Sequence, residues 1–208
     1  NKKVAKKSSH IITISNFVKN DLIEFTGVNP EKITVTLESA DELPKGNEPV
    51  DELIGKKFIM YIGRPTPHKN LRRLIDAFAL LQKKYPDLTL ALAGKKDSNY
   101  ARHETYVNER GIKNVVFTGF ISDEQLRWMY ENTAVYCFPS LSEGFGLPGL
   151  EAMLHGAPVA SSTATCLPET HGDAARYFDP FSVEDIAKSI DDILSDDKLR
   201  NELVKKGK

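Results

Sequence analysis

Cysteine is scarce in this sequence. Cys137 and Cys166 are the only two, and their spacing suits neither a metal site nor a disulfide framework. A reduced, cytoplasmic protein is the expectation. Long apolar runs are missing too. No stretch approaches the roughly 20 apolar residues that cross a bilayer, and the first residues lack the apolar stretch of a signal peptide. Membrane association is therefore expected only as peripheral contact, at the inner face. Neither sign of charge dominates: 28 Lys and Arg face 29 Asp and Glu, a formal net charge of −1. No global field recruits nucleic acid, so any phosphate binding has to be local. The one dense basic run, Lys2, Lys3, Lys6 and Lys7, reads as a solvated helix face, with a membrane-contacting patch as the alternative. His10, His103, His155 and His171 show no metal-ligand spacing, and no metal site is expected.

What is present fits one well-packed main domain: 208 residues, 40% of them hydrophobic. The β-branched run Ile11-Ile12-Thr13-Ile14 predicts a strand. Ser15 or Asn16 then caps a helix over 17–25, and a second strand covers 33–37. Residues 38–54 begin acidic and are punctuated by Pro44, Gly46 and Pro49, as in a linker. From residue 55 onward, strands at 58–62, 88–93, 115–117, 135–138 and 159–160 alternate with helices at 71–85, 100–110, 123–132, 148–155, 183–194 and 198–206. This alternation predicts an α/β fold, a Rossmann-like doubly wound parallel sheet with right-handed crossovers. Such sheets bind ligands outside the carboxyl ends of their strands.

Three strand ends carry candidate chemistry. The first is Gly63-Arg64-Pro65-Thr66-Pro67-His68-Lys69-Asn70, which puts two cations on one loop just before a helix. Behind a Gly that admits close backbone approach, Arg64 and Lys69 suit a phosphate. The second is Ser142-Glu143-Gly144-Phe145-Gly146-Leu147-Pro148, where Pro148 opens a helix and the glycines leave the preceding backbone clear. The amides of Phe145, Gly146 and Leu147 can then face an anion at the positive end of the helix dipole. Glu143 and Glu151, one on each side of these amides, suit the hydroxyls flanking a diphosphate. First-turn dipole compensation accounts for Glu151 equally well. The third strand end, Gly119-Phe120-Ile121, exposes backbone that can read a base edge, although a plain turn accounts for it as well.

Gly144-x-Gly146-x-x-Gly149 also matches the dinucleotide fingerprint, with Glu169 about 20 residues beyond. The match is set aside on position. In that fingerprint the glycines form the strand-to-helix turn of the first βαβ unit. Here Ser140 to Glu143 intervene, Pro148 takes the fifth position, and several strands come first.

Taken together, Tyr61-Ile62-Gly63-Arg64, Lys69-Asn70-Leu71, Gly119-Phe120, Phe138-Pro139-Ser140, Glu143-x7-Glu151, Gly156-Ala157-Pro158-Val159, Leu167-Pro168-Glu169 and Gly172-Asp173-Ala174-Ala175 resemble the C-terminal domain of glycosyltransferase family 4. The resemblance covers roughly residues 55–205. It implies the C-terminal half of a GT-B fold and retaining hexosyl transfer from a nucleotide diphosphate sugar, usually without a metal or other cofactor. By that resemblance the donor site comprises Gly63, Arg64, Lys69, Phe120, Ile121, Glu143, Gly144, Phe145, Gly146, Leu147 and Glu151, with Arg64, Lys69 and Glu143 catalytic and Glu151 on the ribose hydroxyls. The donor implied is GDP-mannose or a UDP-hexose. The acceptor implied is a glycan or lipid-linked glycan, bound by an N-terminal domain of which residues 1–37 are the last βα unit. On this reading the isolated chain is expected to be inactive. A noncatalytic nucleotide-sugar-binding module is the other reading.

Overall fold

The computed structural model describes residues 2–46 and 48–208. Asn1, at the start of the first expected unit, and Asn47, inside the expected linker, lie outside them. The described chain begins with α1 (Lys2–Lys7), β1 (Ile11–Thr13), α2 (Asn16–Thr26) and β2 (Ile33–Val35). In α1 only Ala5 is buried, and its lysines are exposed. Ser15 caps α2 by accepting from the Val18 amide, and Gly27, at φ 67°, closes it by donating its N–H to the Ile23 carbonyl. β1 and β2 pair in parallel as a two-stranded sheet of their own.

The remainder builds a six-stranded sheet from β3 (Phe58–Ile62), β4 (Thr89–Ala93), β5 (Val115–Gly119), β6 (Val135–Phe138), β7 (Val159–Ser162) and β8 (Ala175–Phe178). Its helices are α3 (Leu71–Leu81), α4 (Ser98–Glu109), α5 (Asp123–Asn132), α6 (Leu147–Leu154), α7 (Leu167–His171), α8 (Val183–Ser195) and α9 (Asp197–Gly207). The spatial order is β5-β4-β3-β6-β7-β8 and every pair is parallel. That is the doubly wound Rossmann order, whose direction reverses between β3 and β6 and opens a crevice at their carboxyl ends.

Two apolar layers hold the sheet. Ile59 and Tyr61 face Leu74, Ile75 and Phe78 of α3 and Ile186 and Ile190 of α8. Phe58, Met60 and Tyr136 face Met129 and Tyr130 of α5 and Met153 of α6. The stripe Leu71, Leu74, Ile75, Phe78 and Leu81 is buried along α3 as its spacing predicts. Truncating a fully buried member such as Phe78 to Ala costs about 3–5 kcal/mol. α5 starts at a capping box in which Ser122 and Gln125 satisfy each other's backbone amides.

The structure departs from the sequence expectations at short elements. β8 and α7 were not anticipated. β8 has four residues that include the half-exposed Arg176, and α7 is a single turn with Pro168 inside it. α3 ends at Leu81, four residues early, in a turn that returns the chain to β4. The stretch read as a linker packs closely. Arg127 donates to the Leu43 carbonyl at 2.7 Å, the Leu43 amide meets His155 Nε2 at 3.2 Å, and Val50 and Leu53 enter the core.

Candidate functional site

The crevice between β3 and β6 receives two loops. The first, Gly63 to Asn70, ends in a 3-10 turn (Pro67–Lys69). Asn70 follows in the left-handed conformation, φ 60°, and is buried. Its side-chain amide donates to the carbonyls of Pro139 and Pro180 at 3.0 and 2.7 Å. The Leu141 amide donates to the His68 carbonyl at 2.7 Å and joins this loop to the one after β6.

Lys69 and Glu143 meet there, Nζ to Oε1 2.6 Å, with side chains only 22% and 13% exposed. Water screens such a pair poorly, which strengthens the attraction relative to a surface pair. Glu143 is held by its own backbone: its amide donates to Thr165 Oγ1 at 3.0 Å and its carbonyl accepts from Cys166 Sγ at 3.3 Å. Burial pushes the Cys166 thiol up to about 11.

Arg64 stands apart from this pair. Its side chain is 77% exposed and reaches Asp97 at 3.4 Å. Asp97 also caps α4 by accepting from Asn99 and Tyr100; the Tyr100 amide leads the interactions that hold its carboxyl below the usual range. The two cations of the loop therefore serve different carboxylates.

Gly63, Arg64, Lys95, Asp97, Phe120 and Ile121 line a cleft of about 590 Å³. Phe120 is 83% exposed at its mouth, a flat apolar surface beside polar backbone. Lys69, Glu143 and α6 lie outside this lining. The expected donor residues thus fall into two groups, an open cleft after β3 and β5 and a largely buried ion pair between β3 and β6.

Gly146 precedes α6 at φ 103°, a conformation that L side chains rarely adopt. A Cβ there would lie 2.7 Å from Leu167 Cδ2 and 3.2 Å from Phe138 Cε1. Among the described residues, no acceptor meets the amides of Phe145, Gly146 or Leu147. Glu151 is four residues into the helix rather than in its first turn, because α6 begins at Leu147. The Tyr130 hydroxyl lies 3.3 Å from its Oε2, and burial, then Glu151, pushes that hydroxyl's pKa up and keeps it a donor. Dipole compensation at the first turn does not account for Glu151.

Glu169 answers the dinucleotide reading. Its carboxylate accepts from the Asn16 amide and side chain, both at 2.8 Å, and from the Phe17 amide at 3.1 Å. Burial works to raise its pKa, but these bonds outweigh it and hold the carboxyl below the usual range. The acid at the ribose position of the fingerprint is occupied in capping α2. The contact joins residues more than 150 positions apart, and no local sequence signal announces it. Asp97 and Tyr130 were missed for the same reason. Their partners, Arg64 and Glu151, lie 33 and 21 positions away.

Comparison with known proteins adds kinship to this geometry. The family model "Glycosyl transferases group 1" matches residues 46–208. O-antigen chain mannosyltransferase B of Escherichia coli is 32% identical over 206 residues, 91% of this chain and 52% of that relative, so the chain spans about half its length. Among solved structures, sucrose-phosphate synthase from Thermosynechococcus elongatus superposes with a TM-score of 0.83 at 24% identity, over 99% of this chain and 54% of that one. Anabaena HepE in complex with UDP-glucose gives 0.84 at 20% identity, over 99% and 59%. Both likenesses concern the fold, α/β with a six-stranded parallel sheet flanked by helices.

Proposed function

This chain belongs to the glycosyl transferases group 1, and on that premise we propose that it is the donor-binding part of a retaining hexosyltransferase. The donor is a nucleotide diphosphate sugar, with GDP-mannose first to be tested because of the mannosyltransferase relative and UDP-hexose second. The acceptor is a glycan or a lipid-linked glycan. Residues 1–37 are assigned to the acceptor domain's last βα unit, 38–54 to the linker and 55–208 to the nucleotide-sugar-binding domain.

The observation that carries this reading is the meeting of Lys69, Glu143 and the start of α6 at the switch point of the sheet. A leaving diphosphate gains negative charge as its bond to the sugar breaks, and fixed cations and amides at that position stabilise the transition state. Lys69 and the amides of Phe145 to Leu147 supply them, and Arg64, on its exposed stem, turns from Asp97 to the diphosphate. Glu143 holds Lys69 in place and accepts from the sugar's hydroxyls. Glu151 takes the ribose hydroxyls, and Gly63, Gly144, Phe120 and Ile121 border the nucleotide. No metal is assigned, because the cations that neutralise the diphosphate come from the chain itself.

Calorimetric titration with UDP, GDP and ADP in EDTA tests this. One nucleotide should bind without metal, and Lys69→Ala and Glu151→Ala should each weaken it about tenfold or more. Binding that needs added divalent cation, or that neither variant changes, removes the assignment.

A further inference from the structure

Behind the Gly-rich loop, three consecutive carbonyls are each held by a side chain. The Ser15 hydroxyl donates to the Gly144 carbonyl at 2.8 Å and the Thr170 hydroxyl to the Phe145 carbonyl at 2.8 Å. His171 Nε2 meets the Gly146 carbonyl at 3.3 Å. In a planar trans peptide, the C=O of one residue and the N–H of the next point in opposite directions. Holding the carbonyls of Gly144, Phe145 and Gly146 toward α2 and α7 therefore turns the amides of Phe145, Gly146 and Leu147 to the other side. Those are the amides assigned to the diphosphate.

The holding groups are themselves fixed. His171 is buried, and its Nδ1 lies 3.1 Å from Ser161 Oγ, which can donate and leave the ring proton on Nε2. A Cβ on Gly149 would run into the His171 ring, so the first turn of α6 lies flat against it. Ser15 belongs to the separate N-terminal unit, yet it is fixed as the cap of α2, whose first turn the Glu169 carboxylate grips. Ile14 and Val18 also pack beside Gly144, 3.4 and 3.8 Å from where a Cβ would stand. Glu169, Thr170 and His171 thus act in succession, one on α2 and two on the loop.

We infer that Ser15, Thr170 and His171 are positioning residues that pre-aim these three amides at the donor's diphosphate. The inference rests on the donor reading above. None of the three has to touch the ligand. They supply preorganisation, so that binding a phosphate costs no rearrangement of the backbone dipoles.

The test compares the nucleoside diphosphate that binds, UDP or GDP, with its parent nucleoside, by calorimetry and ligand-observed NMR. Ser15→Ala and Thr170→Val should each weaken the diphosphate about three- to tenfold while leaving the nucleoside's affinity unchanged, and Thr170→Ser should restore it. The two sites lie on different segments, so misfolding of one variant does not remove the test. Equal losses for nucleoside and nucleotide would indicate general support of the fold and overturn the inference. So would unchanged diphosphate binding in the variants. Failure of the wild-type chain to bind any nucleotide would overturn the donor reading, and this inference with it.

Discussion

The loop after β3 and the loop after β6 meet at the same crevice but present positive charge differently. In the first, charge sits on side chains, one of them the 77% exposed Arg64 that rests on Asp97. In the second it consists of backbone dipoles whose reverse sides are fastened to Ser15, Thr170 and His171. A long side chain can follow a ligand but loses rotamer freedom when it binds. A fastened amide cannot follow, and it loses little. The pairing suits a ligand held rigidly at one phosphate while its charge distribution changes.

If rigidity belongs to the second loop, disturbing its backbone should do the most damage. Gly146→Val combines a left-handed φ with a Cβ 2.7 Å from Leu167, and should destabilise the fold by on the order of 3 kcal/mol, read as a lower urea midpoint. An unchanged midpoint would mean that the loop is soft and the contrast false.

Acidity offers a gentler probe of the same loop. Burial first, and against it the bond to Gly146 and the field of Glu143, sets the His171 pKa at about 4, below its ordinary 6.5. Above the ordinary value neither folded nor unfolded ring is protonated, and the contribution to stability is complete. As pH falls from 6.5 toward 4, the unfolded state takes up a proton that the folded state refuses, and stability drops by up to about 3 kcal/mol. Urea unfolding across this range should show the slope, and His171→Gln should flatten it.

The smallest expected effect sharpens the contrast from the other side. Arg64→Ala should change stability by no more than about 0.5 kcal/mol, yet weaken nucleoside diphosphate binding. A large loss of stability would place Arg64 among the fixed parts.

Much of this architecture was readable from the amino-acid order. Buried strands such as Phe58–Ile62 and the apolar stripe of α3 follow from periodicity, and the loops after them from the rule for doubly wound sheets. The pattern also placed Arg64 and Lys69 on one loop. It could not say that they would choose different carboxylates, because Asp97 and Glu143 lie 33 and 74 positions away. β8 escaped because four residues with a half-exposed Arg176 give too short a signal, and α7 because Pro168 in a single turn reads as a break. Ser15 was legible as a cap but not as a support for Gly144, since period and propensity describe neighbours along the chain and the support is spatial.

Asn70 shares its side-chain amide between the carbonyls of Pro139 and Pro180, 69 and 110 positions downstream. On a ribosome the chain appears from its N-terminus, and closing such long loops carries an entropy cost before any contact repays it. The crevice therefore cannot assume its final shape before residue 180 has been synthesised. Until residue 180 has emerged, Asn70 has at most one of its two partners, and the β3–β6 crevice stays unfinished.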